Sequence, residues 1–389
     1  MTPDRRRLRP PRFPHIPHPP PEELEAALAA EVEAPKPSSF LRLLRWGLVV
    51  FALVSLAGFA LAFVITQNWE ASFQALVRLQ PLWLLPALAV PVFDWLGGGL
   101  RLKVLLAPVG ERLRLFVCAQ IAAVTTATAW LTPSGAGGGP AQIYGMTRNG
   151  IPLGRAGAVN AATFLSNLTF LALAGLTAWA AGAGSDLEHI VLPVGRLSAG
   201  VLFLWCAWGM AAAVLVILLL AFVPGALTRL ARRLFRRSTR LDRWLLHLDE
   251  LRLGILTYVW SGKTAFVAGV LAAGVHFGSR IVLGWILLRG FGVEAPFWHI
   301  VALHTMIQFL LVFMPTPGGA GIGEVVTSVV MAPFLPGALL VPYTALWRFF
   351  MTYIPVAVGG GLLLTWLGRS PSRPPAAPPG AGAGGERDR

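Results

Sequence analysis

Apolar residues in this chain come in long blocks, without the one-sided stripe of a helix that packs on a soluble core. Six blocks, at residues 47–66, 82–106, 157–182, 198–223, 264–288 and 343–367, are each long enough for a helix to cross a bilayer, which takes about 20 apolar residues. Two more apolar stretches, 115–131 and 298–314, stop at helix breakers. The first runs into Thr132-Pro133-Ser134-Gly135-Ala136-Gly137-Gly138-Gly139-Pro140, the second into Thr316-Pro317-Gly318-Gly319-Ala320-Gly321-Ile322-Gly323-Glu324. The pattern predicts an all-α polytopic membrane protein with about six full spans and two pieces that turn back at a glycine-rich bend.

The two bends are copies of one another. At an offset of 184 residues, Thr132, Pro133, Gly135, Ala136, Gly137 and Gly139 fall on Thr316, Pro317, Gly319, Ala320, Gly321 and Gly323. Upstream, Leu105-Leu106-Ala107-Pro108-Val109-Gly110 and Leu287-Leu288-Arg289-Gly290-Phe291-Gly292 precede the bends at nearly equal distances. A duplicated unit is therefore expected, one copy at about 82–182 and the other at about 264–367.

Charge changes the picture from a list of spans to a topology. Only 13% of residues are charged, which excludes an ordinary soluble enzyme, yet 32 Lys and Arg face 18 acidic residues. The basic residues sit in tails and loops, so they speak for membrane orientation, and no nucleic-acid partner is expected. If every apolar piece crossed fully from a cytoplasmic N-terminus, the loop 224–263, with Arg229, Arg232, Arg233, Arg236, Arg237, Arg240, Arg243, Arg252 and Lys263, would lie outside. That breaks the positive-inside rule. If 115–131 instead re-enters as a hairpin, the loop falls inside, the acidic loop with Asp186 and Glu188 falls outside, and both termini are cytoplasmic. The two units then have inverted topology.

The domain layout follows: a Pro-rich disordered tail at 1–46, a transmembrane domain at 47–368 and a second tail at 369–389. No signal peptide is expected, the first apolar block being a retained anchor. Within the loop, the stretch from Arg229 to Arg243 alternates charge with Leu230, Leu234, Phe235, Leu241 and Trp244. It fits an amphipathic helix on an anionic inner leaflet, or a purely topological anchor. Cys118 and Cys206 both lie in apolar segments and read as small hydrophobes.

Candidate chemistry is confined to the bends and a few buried charges. Irregular backbone at membrane depth needs protein or a water-filled cavity to satisfy it. A cavity between the repeats is expected, lined by Thr132, Pro133, Gly135, Gly137, Gly138, Gly139, Gln142, Tyr144, Thr316, Pro317, Gly318, Gly319, Gly321 and Gly323. Helices starting at Pro140 and Gly323 would turn their positive ends toward an anion such as a lipid phosphate, or the glycines would serve close helix packing. Glu324 and Asp94 interrupt apolar sequence at a cost of about 2.5–3.5 kcal/mol each at mid-membrane, so each calls for a partner or a role with a proton or a cationic headgroup. Arg280 lies deep in its span and suits phosphate; Arg101 and Arg348 suit phosphate or snorkelling to an interface. Asp94 with Arg280, or Glu324 with Arg280, are the expected pairs. His276, His304, Gln120 and Gln308 add polar faces.

The two bends, with Ala141-Gln142-Ile143-Tyr144 and Asn149-Gly150-Ile151-Pro152 after the first and Pro315 and Glu324 flanking the second, resemble those of the flippase-like family, also called the lysylphosphatidylglycerol synthase transmembrane-region family. The resemblance covers about residues 41–367. It implies an integral inner-membrane protein that moves or handles lipids, similar to the flippase half of the multiple peptide resistance factor, which translocates aminoacylated phosphatidylglycerol. Only residues 369–389 follow the last span, so no aminoacyl-transferase domain and no enzyme activity is expected. Where many wider relatives carry an acidic and then a basic residue after the first glycine run, this chain has Pro140 and Ala141.

The expectation is a lipid flippase or transporter of the cytoplasmic membrane, with an anionic phospholipid or lipid-linked precursor as partner and no cofactor or metal. A non-transporting scaffold that recruits an envelope or lipid-modifying enzyme, or a small-solute transporter on the same frame, are the alternatives. Protein partners are not legible in the sequence.

Overall fold

The computed structural model describes residues 37–66, 69–183, 187–189, 191, 198–222, 256–258, 260, 262–312, 314 and 316–368. Of the expected tails at 1–46 and 369–389, residues 1–36 and 369–389 lie outside them, as does the amphipathic stretch in the basic loop. The chain divides into residues 1–46 and 47–389. Of the first, residues 37–46 form the opening turns of α1.

Twelve α-helices and no strand are present among the described residues: α1 Pro37–Thr66, α2 Trp69–Val77, α3 Leu84–Leu106, α4 Leu115–Leu131, α5 Gly138–Arg148, α6 Leu153–Ala178, α7 Ala199–Phe222, α8 Lys263–Gly290, α9 Phe297–Val312, α10 Ile322–Met331, α11 Gly337–Arg348 and α12 Ile354–Leu367. Four helical stretches, 81–109, 153–183, 263–290 and 337–367, are long and apolar enough to cross a membrane, and α1 and α7 coincide with two further expected spans. The fourth stretch is α11 and α12 joined by a π-helical turn at Phe349–Tyr353. Its cause is local: Pro355 has no N–H to return to the turn behind it. The helix begins at Gly337, ahead of the expected 343, because Pro342 is accommodated inside it.

Helices α4 and α9 are short for a physical reason. At 17 and 16 residues and 1.5 Å per residue each reaches about 25 Å, less than the ~30 Å of bilayer hydrocarbon. Each ends at its bend, and a short helix, α5 or α10, leaves the bend and packs back on it. Helix α5 starts at Gly138, two residues before the expected Pro140, and α10 starts at Ile322.

The duplication read from sequence extends to the backbone. Ser134 and Gly318 have φ of 53° and 57°, and Gly135 and Gly319 have 69° and 63°. Gly135 and Ala136 donate to the carbonyls of Thr132 and Pro133 at 3.2 and 3.0 Å; Gly319 and Ala320 donate to Thr316 and Pro317 at 3.0 and 2.9 Å. The match at 184 residues holds for these positions and stops at Gly137, whose φ of -74° contrasts with 77° at Gly321. Helices α5 and α10, and α6 and α11, begin at the same offset.

The bends meet. Pro133 and Pro317 form an antiparallel bridge, and Ser134 donates from both N and Oγ to the Met314 carbonyl at 3.1 Å. Around this junction α3 packs along α8 over the most extensive helix contact among the described residues, α4 lies against α3 and α12, and α9 lies against α6 and α7. The α3 contacts depend on Gly97-Gly98-Gly99: a Cβ on Gly97 would come within 2.5 Å of the His276 nitrogen on α8, and one on Gly99 within 2.6 Å of the Ala119 nitrogen on α4. Small residues let two backbones approach α3 at one level.

Gly318 is constrained twice, by its positive φ and by the Trp130 carbonyl oxygen, which would lie 2.6 Å from a Cβ. Gly318→Ala is expected to destabilise by about 1–3 kcal/mol from backbone strain alone, before the clash is added. Gly337→Ala, at an open helix start with nothing within 4 Å, is the control and is expected to leave the melting temperature unchanged or raised. Thermal unfolding of the two variants in one detergent checks the difference.

Candidate functional site

Two buried ion pairs flank the junction of the bends. In the first, Arg280 of α8 donates from Nε and Nη2 to the two carboxylate oxygens of Asp94 on α3, at 2.6 and 3.3 Å. His276, one turn before Arg280, places Nδ1 at 2.9 Å from the Asp94 carbonyl oxygen and 3.1 Å from Oδ1. Both neighbours are acceptors, so Nδ1 carries the hydrogen. Nε2 is then left to accept from Arg280 Nη2 at 3.4 Å. One of the two expected pairs is thus present, with His276 as a third member.

The second pair departs from expectation. Glu324 meets Arg348, not Arg280, at 3.3 Å, and Ser55 of α1 donates to its other oxygen at 2.6 Å. Arg348 is fully buried and does not snorkel: it donates to the carbonyls of Gly318 and Gly319 at 2.8 and 3.0 Å, tying the second bend to α11. Trp130, the last tryptophan before the first bend, lies 5.9 Å from the Arg280 guanidinium and 5.8 Å from that of Arg348. The two pairs share one aromatic neighbour.

Beside the first pair is a chamber of about 320 Å³. Of the sequence-predicted residues, Gly135, Gly138, Gly139, Gln142, Gly318, Gly319 and Arg280 line it. Asp94 stands behind Arg280. Thr132 and the two prolines shape the bends: Thr132 Oγ1 accepts from Gly137 N–H at 2.7 Å and donates to the Thr128 carbonyl at 2.8 Å. Thr316, Gly137, Tyr144, Gly321, Gly323 and Glu324 are not in the lining. Gly321 packs on Val54 of α1, and Gly323 lies under the Arg348 side chain.

The helix starts offer less to an anion than the sequence suggested. The Gly137 and Gly138 N–H groups are taken by Thr132 Oγ1 and the Gly135 carbonyl, Pro140 has none, and Gly323 donates to Gly319. The charge comes from side chains. Arg101 of α3, 5% exposed, also faces the chamber; it is buried, not at an interface. It donates to the Asn167 side-chain oxygen. Its Nε has no partner, and no carboxylate pairs with it, among the described residues.

The opposite wall comes from α6. Asn160, Thr163, Phe164 and Asn167 line it, and Gln142 donates to Thr163 at 3.0 Å. Sequence reasoning passed over these residues, although 160, 163 and 167 follow the i, i+3, i+7 spacing of one helix face inside an apolar span. Gln308, read only as a polar face, reaches the chamber from α9. His304 does not; it pairs with the Tyr343 hydroxyl at 2.6 Å away from it. The rim includes Phe164, half exposed on the apolar outer surface, and exposed Ser134.

Residues 42–359 match the family model described as the lysylphosphatidylglycerol synthase TM region. The chain belongs to that family. The match takes in both bends, both ion pairs and every wall of the chamber. A UPF0104 membrane protein of Archaeoglobus fulgidus is 23% identical over 331 residues, covering 79% of this chain and 93% of its own length. Membership in the lysylphosphatidylglycerol synthase TM region family and the helical structure agree on a multi-pass membrane protein.

Proposed function

We propose that this protein handles lipids in the cytoplasmic membrane as a translocase, and that the chamber receives the phosphate of a lipid headgroup. The observation that carries the reading is the pair of buried guanidiniums, Arg101 and Arg280, facing one chamber with Asp94 as their shared counter-charge. One positive charge is left over. Placing an unpaired cation in low dielectric is costly, and an anionic ligand relieves that cost when it binds. The chamber volume lies at the small end of ligand pockets, which span about 300–1,000 Å³, so it suits a headgroup with its acyl chains left in the bilayer. Half-exposed Phe164 at the rim gives those chains an apolar exit.

Movement across the bilayer rests on inverted repeats and re-entrant hairpins. The bridge between Pro133 and Pro317 supports both, because an antiparallel pairing of equivalent residues is what a local two-fold axis through the junction produces. The short reach of α4 and α9 supports turning back within the membrane. With both termini cytoplasmic, one repeat would rock against the other about the paired bends and carry the headgroup from one leaflet to the other.

Proteoliposomes with a fluorescent phosphatidylglycerol test this. Arg101→Gln removes the uncompensated charge and keeps a donor, and it breaks no ion pair. Translocation is expected to fall about tenfold or more at an unchanged gel-filtration profile. Wild type and variant moving lipid at the same rate would reject the assignment.

A further inference from the structure

The family's name points to an aminoacylated lipid, but the chamber's side chains point elsewhere. Building on the lipid reading above, we infer that the chamber selects an anionic phospholipid whose headgroup is uncharged and hydroxylated, and rejects headgroups that carry an amine. Four side-chain amides line it, Gln142, Asn160, Asn167 and Gln308, and Gln308 is 5% exposed with its Nε2 donor unpartnered among the described residues. Amides offer both donors and acceptors without charge, which is what hydroxyl groups require.

An ammonium group requires a carboxylate, and each described one is placed elsewhere. Asp94 is held by Arg280 and His276 behind the wall, and Glu324 is sealed by Arg348 and Ser55. Glu111 pairs with Arg155, Glu294 pairs with Arg289, and Glu70 and Glu188 are exposed. None of the six is among the residues lining the chamber. A lysyl or ethanolamine headgroup seated there would bring a desolvated cation beside Arg101 and Arg280, with no carboxylate of the described residues in the lining to receive it. Repulsion of that kind excludes a wrong ligand as effectively as a steric block.

The test is competition on the full-length protein in nanodiscs, read by intact-complex mass spectrometry. The probes are phosphatidylglycerol, lysyl-phosphatidylglycerol, phosphatidylethanolamine and soluble glycerol 3-phosphate. Phosphatidylglycerol is expected to be retained about tenfold or more over both amine lipids, with glycerol 3-phosphate a weak competitor. Asn160→Asp, and independently Gln142→Glu, each place a carboxylate in the wall and are expected to move the preference toward lysyl-phosphatidylglycerol by about tenfold. Wild type that retains lysyl-phosphatidylglycerol as well as phosphatidylglycerol overturns the selectivity and leaves the lipid reading standing. If instead no lipid is retained above background and Arg101→Gln behaves as wild type, the lipid reading itself falls. Glycerol 3-phosphate that competes as well as phosphatidylglycerol makes the ligand a free phosphate ester and overturns both.

Discussion

Arg348→Ala is expected to lose about 3–5 kcal/mol, enough to remove most folded protein, because it strands the Glu324 carboxylate in a fully buried site. Among the described residues Glu324 would keep only Ser55, and the carbonyls of Gly318 and Gly319 would lose Arg348 as donor at the same moment. Both effects act on the second bend, where the buried carbonyls of Gly318 and Gly319 accept from Arg348. The double variant Arg348→Met with Glu324→Gln removes both charges and is expected to recover part of the loss, since a neutral pair escapes the penalty of an unbalanced ion. Yield of monodisperse protein and melting temperature in one detergent measure both. An Arg348→Ala variant within 1 kcal/mol of wild type would show that the pair does not hold the bend.

Much of this architecture was legible in sequence, and the reason is physical. A bilayer imposes length and hydropathy on every span, so six blocks of the right size coincide with helices, though α1 starts ten residues and α11 six residues before the expected block; α4 matches its predicted range. The duplication was legible in part because the equivalent Gly135 and Gly319 carry positive backbone angles, which only a few residue types adopt. The Asp94 and Arg280 pair could be named because each is expensive alone in an apolar span. The partner of Glu324 could not. Arg348 sits near the end of the expected block only if that block is cut at 343; once α11 starts at Gly337, Arg348 falls inside a continuous helix of 31 residues. Polar residues of α6 were missed for a different reason: Asn and Thr are tolerable inside bundles, so neither stands out until their common face is counted. The meeting of the two bends is tertiary and left no local signal.

Asp94→Ala is the counterpart to Arg348→Ala, and comparing them separates a structural pair from one that also faces the ligand. Loss of Asp94 leaves Arg280 without its carboxylate and His276 without an acceptor at 3.1 Å, so a loss of about 3–5 kcal/mol is expected here as well. The isosteric Asp94→Asn keeps an acceptor for Arg280 Nε and should fold. It also raises the charge facing the chamber, since Arg101 and Arg280 would then share no counter-ion. Anionic lipid is expected to bind Asp94→Asn about tenfold more tightly and to leave more slowly, so translocation falls while retention rises. Glu324→Gln makes the same change in charge at the sealed pair, outside the chamber, and is expected to shift stability without shifting lipid retention. Retention measured on both Asn and Gln variants decides the matter: equal responses would mean that Asp94 acts only on the fold, and the chamber's charge would then rest on Arg101 alone.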